Sequence, residues 1–149
     1  MSYENPWMYN SAIFESDDIQ DHFGFVYLIY CRETGRKYIG RKYFWSYTKP
    51  KGKSRRVKSE SNWKKYYGSC PELKVDVDLW GRESMDRTIL SLHKTKGECN
   101  YEETKQLFLN NVLKESLDDG RPAYYNSNIL GRYMRKDYGN FGTSTSSIT

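Results

Sequence analysis

The stretch from Phe23 to Phe44, FGFVYLIYCRETGRKYIGRKYF, constrains the fold more than any other part of the chain. Phe25–Tyr30 is an unbroken run of aromatic and aliphatic residues, the composition of a buried strand. The RETGRK segment that follows supplies a turn, in which Gly35 can take a positive φ at little steric cost. Lys37–Arg41 then returns as a second strand. A hairpin needs aromatics only for packing, yet this one carries Tyr27, Tyr30 and Tyr38 and is followed at once by Arg41-Lys42. That arrangement asks for a role beyond core filling.

The remaining text supplies partners for the hairpin. Met85–His93 reads as a third strand, and Pro71–Trp80 as a helix with Pro in its first turn, Ser69 or Cys70 as cap and Gly81 as its stop. Tyr101–Ser116 reads as a second helix with Asn100 as N-cap. Tyr101, Thr104, Phe108 and Val112 share one stripe, flanked by Leu107, and Glu102 and Glu103 fall in its first turn, where the helix dipole favours carboxylates. The expected fold is therefore α+β: a small, mainly antiparallel three-stranded sheet flanked by helices. The domain proper spans 23–138. Residues 1–22 read as an irregular arm, 43–62 as a mobile basic insertion marked by Pro50 and Gly52, and 94–100 as a turn. Residues 129–139 read as a short basic helix or a strand, and the tail 139–149, rich in Ser and Thr toward its end, as disordered.

At 149 residues the chain suits one domain, and its 24 aromatics must supply much of the burial. No run approaches the ~18 apolar residues of a membrane helix, and no secretory signal opens the chain, so an intracellular, cytoplasmic protein with no membrane partner is expected. Three widely spaced cysteines and two histidines offer neither a disulfide framework nor zinc-ligand spacing. The net charge of +5 conceals a segregation: Arg32 to Lys65 holds thirteen Lys/Arg against two Glu, a net of +11, and the rest of the chain is at −6. The plainer reading of this cluster is a solvated, self-repelling loop. The sharper one is a phosphate-binding surface, with Arg55, Arg56, Lys58, Lys64 and Lys65 as DNA contacts and the interleaved Tyr43, Phe44, Trp45 and Tyr47 either stacking on bases or packing.

The triplet Phe25-Val26-Tyr27, preceded by Gly24, and Tyr38-Ile39-Gly40 ten residues on together resemble the GIY-YIG nuclease signature, with its first glycine displaced. YYGSCPELKVDVDLWGRESM is similar to the Tyr-Gly-Ser and helix segment of the phage-type, homing-endonuclease-like (Seg-like) members. YEETKQLFLNNVL and YYNSNILG resemble that group's glutamate helix and terminal asparagine. The resemblance covers residues 5–132. It implies a DNA endonuclease, acting on double-stranded substrate by one-metal hydrolysis with Mg²⁺ or, in its place, Mn²⁺. If phage-encoded, it would act in the host cytoplasm.

The resemblance carries specific roles. Tyr27 becomes the water-activating phenol and Tyr38 its proton relay or positioning partner, since a phenol near a metal and a cation can have its pKa lowered. Direct pairing of the two across the hairpin would place both on one sheet face. Glu103 becomes the metal ligand, its plainer alternative being an ordinary helix glutamate like Glu102. Asn126 supports the site by hydrogen bonding, unless it is only a turn residue. The family's helix arginine has no counterpart near Thr48, so Arg41 and Lys42 are the first choice for the catalytic cation and Lys64 the second. Three other readings stay open: a silent nucleic-acid-binding module on the same fold, an enzyme using a tyrosine as covalent nucleophile in strand transfer, and a structural protein whose aromatics are all packing. A single metal site would need a homodimer, or two events, to cut both strands.

Overall fold

A computed structural model describes residues 2–52, 54–139 and 141. Along the chain run β1 (Met8–Tyr9), β2 (Ala12–Ile13), β3 (Gly24–Cys31), β4 (Lys37–Tyr43), β5 (Trp45–Thr48) and β6 (Val57–Glu60). Then follow α1 (Pro71–Trp80), β7 (Met85–His93), α2 (Lys96–Leu109), β8 (Asn128–Ile129), β9 (Tyr133–Met134) and the single turn α3 (Arg135–Tyr138). The segment read as helix or strand is thus both, a small β8–β9 hairpin followed by one helical turn.

The main sheet has five strands in the order β2-β1-β7-β3-β4, and it is antiparallel except where β1 runs parallel to β7 at Met8 and Thr88. The expectation of three strands is corrected here: those three form one side of the sheet, and the N-terminal arm adds the other two. Strands of two residues carry no alternation to read. They are held by a tertiary device, the fully buried Arg87. Its guanidinium donates to the carbonyls of Glu4 (3.3 Å) and Lys64 (3.0 Å) through Nη2, Tyr66 through Nη1 (2.8 Å) and Asn5 through Nε (3.1 Å). It lies 4.2 Å from the Tyr67 ring centre and 4.7 Å from that of Trp7.

The two sheet faces bury different chemistry. One carries Trp7, Phe14, Phe25, Tyr27, Phe44, Trp63 and Tyr125 with Leu73 of α1. The other carries Val26, Ile39, Leu107, Val112, Leu113 and Ile129 beneath α2. A bulge in β7 leaves Leu90 outside the pairing between Val26↔Ser91 and Tyr27↔Ile89. Because of it, Ile89 and Leu92, three residues apart, both serve the aromatic face.

Helix α1 has the bounds expected, with Pro71 in its first turn and Gly81 at φ +92° ending it. Helix α2 does not: it starts five residues before Tyr101 and stops at Leu109. Its cap is Thr95, whose Oγ1 accepts from the Glu98 amide (3.1 Å), while Glu98 Oε1 accepts from the Lys94 amide (3.3 Å). The Thr95 cap, with Glu98 holding the amide of the residue before it, outweighs the poor helix formers Gly97 and Asn100 within the first turns. Asn111, at φ +51°, lies just beyond its end. Glu102 and Glu103 consequently lie in the second turn, where the dipole gives them little.

The basic insertion is also corrected. It is an antiparallel hairpin, paired from Trp45↔Glu60 to Thr48↔Val57. Its Lys, Ser, Gly and Pro content hides a strand pattern. Among the described residues no helix is long and apolar enough to cross a membrane. The three cysteines are free thiols, Cys31 and Cys99 being buried. Of the tail expected to be disordered over 139–149, all but Gly139 and Phe141 lie outside the described residues.

Candidate active site

Strand β4 is an edge of the sheet, and a cleft of about 630 Å³ opens along it. Tyr27, Tyr38, Arg41, Lys42, Glu103 and Asn126 all line this cleft. Direct pairing across the hairpin, which the sequence left open, is not what brings the two tyrosines together. Tyr27 pairs with Gly40 and Tyr38 with Ile29, so the phenols are diagonal neighbours on the aromatic face, their ring centres 6.2 Å apart. The register explains the glycine: a Cβ on Gly40 would lie 2.5 Å from Tyr27 Oη and 3.0 Å from Tyr38 Cε2. The Tyr27 phenol therefore lies across bare backbone, which only glycine leaves open.

Tyr66 meets the Tyr27 ring edge to face at 6.0 Å, and Ser69 lines the cleft with Tyr38. Lys42, on the same face of β4, places its Nζ 4.2 Å from the Tyr66 ring centre. The alternation of β4 turns Arg41 to the opposite face. There its Nη1 donates to Glu103 Oε1 at 2.7 Å and its Nε to Tyr43 Oη at 3.2 Å, while Tyr43 Oη donates to Asn100 Oδ1 at 2.8 Å. Glu103 has a side chain only 16% exposed, so the cleft carboxylate is held and largely shielded. Glu102 is turned elsewhere and accepts from Gln106 Nε2 at 2.8 Å.

Asn126 closes the edge. The Ile39 amide donates to its Oδ1 at 3.1 Å, and its Nδ2 donates to the Ile39 carbonyl at 2.8 Å. Beside it, Lys37 donates to Ala123 and accepts from Tyr125 through backbone groups. The side chain thus stands in for a strand where the backbone ladder ends. An unpaired buried group there would cost about 1–3 kcal/mol. Its place is on the β4 backbone, not in a turn.

Burial pushes both phenols up. Tyr27 lies well above the ordinary tyrosine value, with the neighbouring Tyr38, Tyr66 and Glu103 acting in the same direction. Burial pushes Tyr38 up to about 12, although the neighbouring Ser69 hydroxyl opposes the shift. The protein alone therefore holds both as neutral phenols, against the lowered pKa expected of an activated tyrosine. Partial burial lowers Lys42. For Arg41 burial works against the charge, but the bonds to Tyr43 and Glu103 outweigh it and keep the guanidinium protonated.

Among the described residues no group of three or more His, Cys, Asp or Glu side chains could hold a metal ion. The donor set of the cleft is one carboxylate, which fits a hard cation that keeps most of its waters and takes further ligands from phosphate. The five residues read as DNA contacts do not line the cleft. Arg55 lies beyond the paired residues of the β5–β6 hairpin, with Arg56 immediately before β6, and Lys58 sits 4.3 Å over Trp45. Lys65 is exposed. Lys64, the second choice for the cation, lies 5.4 Å over Tyr3 and 5.7 Å over Trp63, away from the phenols. Sequence reasoning missed Tyr66 and Ser69 as individual cleft residues; the YYGS segment was the available signal.

A search of curated proteins and one of solved structures each returned no match. A family model described as "Putative endonuclease segE, GIY-YIG domain" matches residues 7–129. That span holds both signature strands, α1, α2 and Asn126, and all of the cleft lining except Leu130. The chain belongs to the SegE-type GIY-YIG endonuclease domain family.

Proposed function

We propose that the chain is a metal-dependent endonuclease that hydrolyses phosphodiester bonds of double-stranded DNA at the β4 cleft. The observation that carries this is the convergence of two phenols, a lysine and a shielded carboxylate from opposite sheet faces on one edge strand. Glu103 would hold Mg²⁺, or Mn²⁺ in its place, whose charge would stabilise the leaving 3′ oxygen. Lys42 contacts the scissile phosphate from the phenol side, where its Nζ lies 4.2 Å from the Tyr66 ring centre. Tyr27 orients the attacking water. Buried and neutral, it acts as a base only as positive charge enters the cleft, so substrate binding and activation are coupled. Tyr38 positions that phenol, and Asn126 positions the β4 edge.

Arg41 is a positioning residue. In the free protein it pairs with the carboxylate that a cation would take, and substrate phosphate offers it a replacement partner. The covalent-nucleophile reading fits less well, because Tyr27 is 1% exposed and burial holds its proton. The silent-module reading loses its main support once Lys42 occupies the phenol side of the cleft. One carboxylate site cuts one strand, so a double-strand break takes a second copy or a second event.

The test is nicking of supercoiled plasmid with and without Mg²⁺, beside Glu103→Gln. Metal-dependent nicking that the variant loses by about a hundredfold or more is expected, the scale of losing one preorganised electrostatic group. Equal nicking by both proteins would remove Glu103 from the site.

A further inference from the structure

We propose that the β5–β6 hairpin is a recognition ribbon that lies in the major groove beside the cut, with Thr48, Val57 and Ser59 turned toward base edges. This rests on the nuclease reading and adds which side of the cut is read, and by what.

Directly opposed residues of an antiparallel pair share a face. The register therefore puts Trp45, Tyr47, Lys58 and Glu60 on one face and Ser46, Thr48, Val57 and Ser59 on the other. Two contacts agree: Lys58 Nζ lies 4.3 Å over Trp45, and the Ser46 and Ser59 hydroxyls are 3.3 Å apart. The first face makes the ribbon's contacts to the domain, although Tyr47 and Lys58 remain exposed. Trp45 packs against the aromatic cluster, and Tyr47 stacks on Phe23 with ring centres 6.4 Å apart. Glu60 accepts from Trp63 Nε1 at 2.6 Å and from Ser16 Oγ at 2.7 Å. The one acid of residues 45–60 is thus an anchor, beside six Lys/Arg.

Among the described residues the second face has no such contacts to the domain. Thr48, Val57 and Ser59 are exposed, Val57 to 46%. Two hydroxyls and a branched apolar group are the means by which side chains read base edges and the thymine methyl. A two-stranded ribbon fits the major groove, which is about 12 Å wide. Lys49, Lys51, Arg55 and Arg56 extend past the paired strands and are placed to meet phosphate. Trp45 and Ser46 belong to the cleft wall, so the ribbon begins at the site. Four residues of strand span roughly 13 Å, about four base pairs of duplex. The bases read accordingly lie on one side of the cut, starting next to it.

The experiment sequences the cleavage products of a duplex library randomised on both sides of the cut. The wild-type protein should show base preference on one side only, over about four to six base pairs. The variant Thr48→Ala, Val57→Ala, Ser59→Ala should still cleave the pooled library while its preference flattens by about fivefold or more at the positions read. A preference symmetric about the cut, or one unchanged in that variant, would overturn the proposal. Binding without metal, read by hydroxyl-radical footprinting, separates the two claims. One-sided protection without Mg²⁺-dependent cleavage would keep the ribbon and defeat the nuclease reading; cleavage with no one-sided protection would do the reverse. Replacing Lys49, Lys51, Arg55 and Arg56 by Ser should lower the slope of log K against log salt by about 0.9 for each phosphate no longer neutralised. An unchanged slope would count against the ribbon.

Discussion

The aromatic and aliphatic faces of the main sheet are both well buried, but they deliver opposite goods to the edge where they meet. From the aromatic face come two phenols, kept neutral by burial and fitted against the bare backbone of Gly40. From the aliphatic face comes charge, the Arg41–Glu103 pair carried by β4 and α2. The edge strand alternates between the faces, carrying Tyr38 to Tyr27 of β3 on one side and Arg41 to Glu103 of α2 on the other, and Asn126 satisfies the backbone that this exposes.

The comparison can be broken from the phenol side first. Gly40→Ala forces a Cβ into the Tyr27 phenol, and overpacking of this kind costs about 1–3 kcal/mol. Misplacing the phenol by an ångström should also cut cleavage about a hundredfold. Wild-type cleavage in Gly40→Ala would mean that the phenol's position does not matter. Next in size, Asn126→Ala leaves the Ile39 amide and carbonyl without partners and should lower stability by about 1–3 kcal/mol in denaturant unfolding. No change would show that the edge is satisfied otherwise.

The charged side gives a smaller and opposite effect. Arg41→Ala releases Glu103 from a partly exposed ion pair worth up to about 1 kcal/mol. Mg²⁺ should then bind the DNA-free protein up to about fivefold more tightly by calorimetry; weaker binding would show that Arg41 helps to build the cation site. The smallest effect is alkaline. Tyr38 titrates near 12 in the folded protein against 10.0 for an ordinary tyrosine, so the unfolded chain gives up this proton first. Its contribution to stability is complete below pH 10.0 and is lost as pH rises from there through about 12. Tyr38→Phe should flatten this part of the curve.

What could be read from the chain, and what could not, follows the same division. Strands β3, β4 and β7 and helix α1 were legible because β-branched and aromatic runs, Pro71 and Gly81 speak locally. Strands β1 and β2 were not, since their two-residue ladders depend on Arg87, about 80 residues away in sequence. The start of α2 was legible in principle, as Thr95 and Glu98 spell a capping box, but Gly97 and Asn100 argue locally for a turn. The residues of the cleft could be singled out by their likeness to a family. Their register could not, and neither could the fact that Arg41 and Lys42, adjacent in sequence, serve opposite faces.

The most direct test is single-turnover cleavage of an end-labelled duplex by the wild-type protein, Tyr27→Phe and Glu103→Gln, with binding measured in parallel. Both variants should bind close to wild type while their cleavage rates fall by about a hundredfold or more, one because the attacking water is no longer oriented and the other because the cation has no ligand. Cleavage at the wild-type rate by either bound variant would contradict a site built jointly from the two faces.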